Sequence, residues 1–124
     1  MTPVMQSKLF CKDGIHSGNC YAACLASLLD LPLWMVPPFE DMFASHDWHA
    51  RTDAWLERFF KLELVMADAG EVPTTPHMVY GKSPRDVHHA CIYAGDQLIH
   101  DPHPSGAGVT AVESRMKLIP LEAS

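Results

Sequence analysis

The sequence predicts an α+β domain in which N-terminal helices pack on a C-terminal antiparallel sheet. Apolar residues recur at helical spacing only in the first half of the chain, whereas short strand-like segments separated by turn residues fill the second half. Helices followed by strands, rather than alternating with them, are typical of this class. With 124 residues and 48% hydrophobic content, residues 1–124 are interpreted as one domain with a single core.

Two helices are predicted. Residues 20–30 are rich in alanine and leucine and contain no glycine or proline, which indicates a buried helix. Asn19 is of a residue type that commonly caps helix N-termini, and the prolines that follow the segment end it. From Thr52 to Phe60, aromatic residues and a leucine recur at i, i+3 and i+4, which predicts a second helix.

The second half of the chain is interpreted as strands and loops. Segments rich in β-branched and aromatic residues are bounded by glycine, proline and aspartate, which is the pattern of a sheet built from hairpins. The predicted strands are "LELVMA" (62–67), "HMVYG" (77–81), a hairpin "HACIYAGDQLIHD" (89–101) and "RMKLIPL" (115–121), with loops at 68–76 and 102–114.

Charge and composition restrict the possible partners and compartment. A net charge of −6 argues against binding to nucleic acid or to an anionic membrane, because both surfaces attract clustered lysine and arginine. The first residues lack the pattern of a secretory signal, and the longest apolar run is too short to cross a bilayer. A cytoplasmic protein is therefore expected, with its four cysteines as free thiols rather than disulfides.

Cys20 stands at the start of the first predicted helix, where a thiol can be activated. Unpaired N–H groups and the partial positive charge of a helix N-terminus both favour thiolate over thiol. The same N–H groups can stabilise the oxyanion that forms when a thiolate attacks a carbonyl. The alternative is that Cys20 is a small buried hydrophobic residue. The other three cysteines, Cys11, Cys24 and Cys91, are interpreted as packing residues.

A nucleophilic cysteine needs a base and a group that orients the base, and the predicted hairpin offers both. His89 begins one strand and Asp101 ends the next. A three-residue loop, Ala94-Gly95-Asp96, sets Asp101 directly opposite His89, whereas an even loop places it on the wrong face. A triad therefore predicts the odd loop. His88 competes for the role of base but is expected on the other face of the strand.

These residues resemble a known family. A helix-initiating cysteine, a strand-initiating histidine in "HACIY" and a hairpin that ends in "HDP" are similar to the papain-like cysteine peptidases, closest to the double-glycine leader peptidases. The resemblance implies Cys20 as nucleophile, His89 as base, Asp101 as its orienter and Gln6 as oxyanion donor. The Asn19 side chain or the Cys20 backbone N–H are alternative donors, and Gln6 as an ordinary polar residue of an N-terminal strand is the other interpretation. The chain also resembles small uncharacterised bacteriophage proteins that share "GNC", "HA" and "HDPHPS".

Other polar residues surround these candidates. Arg85, just before the catalytic strand, is a candidate for binding a substrate carboxylate, the alternative being a solvated loop arginine. His103 is a candidate for the rim of the site. A zinc site is a weaker alternative, because the eight histidines show no diagnostic ligand spacing, and neither a metal nor a cofactor is expected.

The expected function is that of a cysteine hydrolase, a peptidase, isopeptidase or amidase that acts through a thioacyl intermediate on a protein or peptide. Deamidation and acyl transfer to an amine use the same residues. A non-catalytic binding or inhibitor module on the same fold is the alternative from another class, and a zinc-binding adaptor is the third.

Overall fold

Helices precede strands in the structure, and the fold is α+β. A computed structural model describes residues 1–7, 19–43 and 47–121. Helices α1, α2 and α3 span Cys20–Leu29, Phe39–Met42 and Trp48–Phe60, with a 3-10 turn at Leu33–Met35. Strands β1 to β5 span Leu62–Met66, His77–Lys82, His88–Ala94, Gln97–His100 and Ala111–Pro120.

All five strands form one antiparallel sheet in the order β1-β5-β2-β3-β4. The last strand thus lies inside the sheet, between β1 and β2. It begins at Ala111, so the prediction of a loop up to residue 114 was wrong over its last four residues. These residues pair with the end of β2 across an irregularity between Tyr80 and Gly81, and they are largely exposed, which removes the apolar signal that marks a strand.

The first helix is the centre of the core, and its residues from Tyr21 to Ser27 are all buried. This explains why the segment is apolar all round rather than amphipathic. Helix α1 packs against β3, where Ala90 and Ile92 are fully buried. The buried Ser27 hydroxyl donates to Ala23 O and accepts from Val4 N, both at 2.9 Å, which ties the N-terminal segment to α1.

Helix α3 begins at Trp48, four residues before the predicted start. The Trp48 indole donates to Phe43 O at 3.1 Å, and this bond helps to hold the first turn. Helix α3 covers β1, where Asp53 accepts the backbone N–H of Leu64 at 3.0 Å. None of the described helices has both the length and the apolar content that a membrane crossing requires.

Candidate active site

A buried histidine–carboxylate pair lies at the start of β3 and just beyond the end of β4. The Nε2 atom of His89 is 2.6 Å from Oδ1 of Asp101, and the two side chains are 4% and 1% exposed. Asp101 also accepts the backbone N–H groups of His103 and Gly108, each at 2.8 Å. Burial alone would raise the pKa of Asp101, but the hydrogen bonds from His89, Gly108 and His103 outweigh it and hold the pKa well below its usual range.

A β-bulge, and not the predicted loop, brings Asp101 to the face of His89. The hairpin turn consists of Gly95 and Asp96 alone, since Ala94 pairs with Gln97, so the prediction of a three-residue loop was wrong. An even loop by itself would have turned Asp101 away. The register shifts between Tyr93 and Ile92, because Ile99 is an extra residue in β4, and the shift restores the required face.

Cys91 is a site residue that the sequence interpretation missed. It lies two residues after His89 and therefore on the same face of β3. Ligand atoms of His89, Cys91 and Asp101 all lie within 4.8 Å of one another. Burial, followed by the charge of the nearby Asp101, raises the pKa of the Cys91 thiol. Cys91 therefore remains a neutral thiol close to the Asp101 carboxylate.

Cys20 begins α1, but its thiol is not activated in the way the sequence predicts. Burial raises its pKa to about 12, opposed by hydrogen bonds from the backbone of Ala90 and of the first helical turn. The negative charge of Glu40 acts in the same direction as burial. The expected lowering of the Cys20 pKa was wrong, since burial and Glu40 outweigh the contribution of the helix start.

Glu40 is a second residue that sequence reasoning missed. It is buried in α2, and its Oε2 atom accepts the backbone N–H of Ala22 in the first turn of α1 at 3.4 Å. A carboxylate at a helix N-terminus is favoured by the helix dipole. Glu40 thus takes the place of a local side-chain cap, which no sequence pattern near Asn19 reveals.

Ala90 links the surroundings of the Cys20 thiol to the strand that carries His89. The Ala90 backbone amide acts to lower the pKa of the Cys20 thiol, which places this amide near the sulfur, and Ala90 directly follows His89 in β3. No hydrogen bond between the sulfur and the His89 ring is recorded within the described part of the chain. Because Nε2 of His89 bonds to Asp101, Nδ1 is the ring atom that remains for a thiol.

The two candidate oxyanion donors, Gln6 and Asn19, are linked through Ser7, which follows Gln6 in sequence and bonds to Asn19. Gln6 N donates to Pro102 O at 3.1 Å, next to Asp101. Asn19 accepts Ser7 N at 3.0 Å and donates from Nδ2 to Ser7 Oγ at 2.8 Å. Asn19 occupies the N-cap position of α1, as predicted, but its side chain binds Ser7 and makes no capping hydrogen bond to the helix.

His88 lies beside His89 in sequence but has different partners. Its Nε2 atom is 3.0 Å from Oε2 of Glu113, and its ring stacks on Tyr80 at a centroid distance of 5.6 Å. Its side chain is 54% exposed. The alternation of a strand places it on the face opposite to His89, as predicted.

The two candidate substrate-binding residues meet at Ser105. Arg85 Nη1 donates to Ser105 Oγ at 2.9 Å, and His103 Nδ1 lies 2.9 Å from the same oxygen. The His103 ring meets the His89 ring edge to face, with centroids 6.0 Å apart. Both residues are half-buried. The predicted rim residues therefore lie together, next to the buried histidine.

The histidines considered as zinc ligands are dispersed. His100 bonds to Val4 O at 2.7 Å, His49 pairs with Asp53 at 3.0 Å, and His46 lies outside the described residues. In the described ranges the group with suitable ligand types is His89, Cys91 and Asp101. Zinc sits about 2.0–2.3 Å from each of its ligands, so two ligand atoms hydrogen-bonded at 2.6 Å are too close together to hold it between them.

Comparisons of the chain with protein-family models, with curated proteins and with solved structures give no match. The chemistry of the site is thus judged on its own geometry. The described residues contain a buried, hydrogen-bonded imidazole in β3 and a thiol at the start of α1, which are the residue types that nucleophilic catalysis by cysteine uses.

Proposed function

We propose that this chain is a papain-like cysteine hydrolase that cleaves an amide bond in a peptide or protein, by peptide, isopeptide or side-chain amide hydrolysis. Cys20 is the nucleophile, His89 the base and Asp101 the residue that orients the base. The observation that carries the proposal is the buried 2.6 Å bond between His89 and Asp101. The residue after His89, Ala90, has a backbone amide near enough to the Cys20 thiol to lower its pKa. The resemblance to papain-like peptidases and to phage proteins is consistent with it.

The arrangement of Asp101 supports this role because it fixes the imidazole. Three N–H groups converge on the carboxylate, which keeps Asp101 ionised and in one orientation. The Nε2–H of His89 then donates to Asp101, and Nδ1 is left with its lone pair. A base whose free nitrogen is held in one direction is what nucleophilic catalysis by a thiol requires.

The reaction follows from these positions. His89 Nδ1 takes the Cys20 proton as the sulfur bonds to the carbonyl carbon, and the carbonyl oxygen becomes an oxyanion. The Nδ1–H then protonates the leaving nitrogen, the C–N bond breaks and a thioester remains. Water gives a proton to Nδ1 and adds its oxygen to the thioester carbon, after which the C–S bond breaks and the thiol recovers its proton.

Oxyanion stabilisation is assigned to the backbone N–H of Cys20, with the Gln6 side chain as its partner. The hydrogen bond from Gln6 N to Pro102 O and the contact of Ser7 with Asn19 keep this segment at the helix start. The Asn19 amide is the alternative donor; its Nδ2 already spends one hydrogen on Ser7. Loss of one such donor costs about 10²–10³ in rate in comparable sites.

A raised thiol pKa implies that Cys20 is protonated in the resting protein. With the Cys20 pKa at about 12, the thiol is uncharged near pH 7, and His89 acts as a general base during attack. The same observation favours a second candidate, a non-catalytic binding module that keeps the fold. In such a module Cys20 would be a packing residue and no bond would be cleaved.

Incubation with a peptide library derived from a bacterial proteome separates the two candidates. Mass spectrometry reports new chain termini for a peptidase, and conversion of side-chain amides to carboxylates for a deamidase. We expect products with the wild type and with His88→Ala, and none with Cys20→Ser or His89→Ala. Products that persist in Cys20→Ser contradict the assignment of the nucleophile, and the absence of products from wild type, on this library and on branched isopeptides, favours the binding module.

A further inference from the structure

Arg85 lies near the proposed catalytic histidine, to which it is connected through Ser105 and His103. Arg85 is half-buried in the loop between β2 and β3, and its recorded hydrogen bond goes to the neutral Ser105. In residues 1–7, 19–43 and 47–121, no carboxylate lies in ion-pair range of Arg85, whereas Lys82, Arg115 and Lys117 each pair with one. A guanidinium has five N–H donors, and most of those of Arg85 remain available to a ligand.

Ser105 orients a second donor, the His103 ring, next to Arg85. The Ser105 backbone N–H donates to His103 Nδ1 at 3.0 Å, so a neutral His103 carries its proton on Nε2. Burial, followed by the charge of Arg85, lowers the pKa of His103, which keeps the ring neutral at pH 7. Arg85 and the His103 Nε2–H thus form a pair of donors of the kind that binds a carboxylate.

His103 is in direct contact with the proposed base. Its ring packs edge to face on His89, with centroids 6.0 Å apart, and in the proposed reaction His89 protonates the leaving nitrogen. Resting on the proposed hydrolase function, we infer that Arg85 and His103 bind a carboxylate of the leaving group. This carboxylate is either the C-terminal carboxylate of the released residue or an acidic side chain next to the cleaved bond.

The net charge of the chain does not favour acidic substrates. With a net charge of −6, the protein repels anions at long range, so acidic substrates gain nothing from its overall field. A preference for a carboxylate must then come from local donors. A charge-assisted hydrogen bond contributes enough free energy for a preference of about tenfold.

Matched alkylating reagents test the inference on the folded chain without a known substrate. N-bromoacetylglycine ends in a carboxylate and N-bromoacetylglycinamide ends in a carboxamide, and the two reagents are otherwise identical. In both, this terminal group lies beyond the carbon that Cys20 attacks. The bromoacetyl derivatives of glutamic acid α-amide and glutamine α-amide test an acidic side chain instead. The rate of Cys20 labelling is followed by peptide mass spectrometry.

We expect at least one carboxylate reagent to label Cys20 of the wild type about tenfold faster than its amide. Arg85→Gln is expected to abolish this ratio, Arg85→Lys to keep part of it, and Lys82→Gln, which removes a nearby charge paired with Asp86, to leave it unchanged. Ratios near one in the wild type, or a ratio that survives Arg85→Gln, overturn the inference. Neutral-reagent labelling that does not depend on His89 overturns the hydrolase proposal instead, so the two failures are distinct.

Discussion

Two adjacent histidines of β3 each face a carboxylate, and the two pairs differ in almost every other respect. His88 and Glu113 are 3.0 Å apart and about half exposed, whereas His89 and Asp101 are 2.6 Å apart and nearly inaccessible. Two backbone N–H groups hold Asp101 in addition to His89. A surface pair gains little because water competes and side-chain entropy is lost. Burial and backbone anchoring are therefore what turn a histidine–acid contact into a positioned base.

The largest expected difference between the two pairs is in catalysis. His89→Ala should lower kcat/KM of a cleaved peptide by about 10²–10⁴, because general base catalysis is lost. His88→Ala should keep it within about twofold of wild type, since surface changes away from a site have small effects. The measurement is kcat/KM on one peptide identified in the library experiment. A large effect of His88→Ala with little effect of His89→Ala would reverse the assignment of the base.

The next largest expected difference between the two pairs is in their contribution to the stability of the fold. Asp101→Asn leaves the buried N–H groups of His103 and Gly108 with a weaker acceptor and breaks the buried pair, which should cost about 3–5 kcal/mol in the free energy of unfolding. Glu113→Gln, on the surface, should change it by less than about 0.5 kcal/mol. Urea unfolding at pH 7 measures both values. Equal effects of the two substitutions would mean that burial does not distinguish the pairs.

Acid should reduce the cost of the Asp101→Asn substitution. The pKa of Asp101 is lower in the folded chain than its value of about 3.9 in an unfolded chain. Ionised Asp101 therefore stabilises the fold fully above about pH 4, and this stabilisation is lost as the pH falls further. Urea unfolding of wild type and variant between pH 6 and pH 2 should show the difference shrinking, and a difference that stays constant would contradict the depressed pKa.

The smallest expected effect is a loss of stability at high pH that arises from Cys20. Its pKa rises from 9.0 to about 12 in the folded chain, so the fold favours the neutral thiol. That stabilisation is present below about pH 9 and is lost as the pH rises towards 12. When the pH is raised from 8 to 10, the free energy of unfolding of Cys20→Ser should therefore fall by about 1 kcal/mol less than that of wild type. Parallel curves would indicate a thiol with an ordinary pKa.

The sequence predicts the parts of this site that depend on local pattern. The alanine- and leucine-rich run after Asn19 predicts α1 correctly, and strand alternation predicts that His88 and His89 face opposite ways. The partnership of His89 with Asp101 was also predicted, although by a three-residue loop that does not exist. The structure has a bulge at Ile99 instead of that loop. The bulge depends on how β3 and β4 pair along their whole length, and no single residue predicts it.

Three features could be identified only in the folded structure and not from the sequence. Burial of the thiol raises the Cys20 pKa, and the charge of Glu40, which reaches the N-terminus of α1 from another helix, acts in the same direction. Cys91 resembles any buried strand residue until Asp101 is placed opposite it. The length of β5 depends on pairing with β2, since residues 111–114 carry little apolar signal. Each depends on contacts between segments that are distant in sequence.

If Cys20 and His89 act as a pair, the rate of Cys20 alkylation by iodoacetamide must depend on His89. Peptide mass spectrometry resolves Cys20 from the buried Cys24 and Cys91 in wild type, His89→Ala and His88→Ala. We predict that Cys20 labels first in the folded wild type, that His89→Ala slows it about tenfold or more, and that His88→Ala leaves it unchanged. Labelling that is equal in all three proteins, or that requires unfolding, would show that Cys20 and His89 do not act together and that Cys20 is a packing residue.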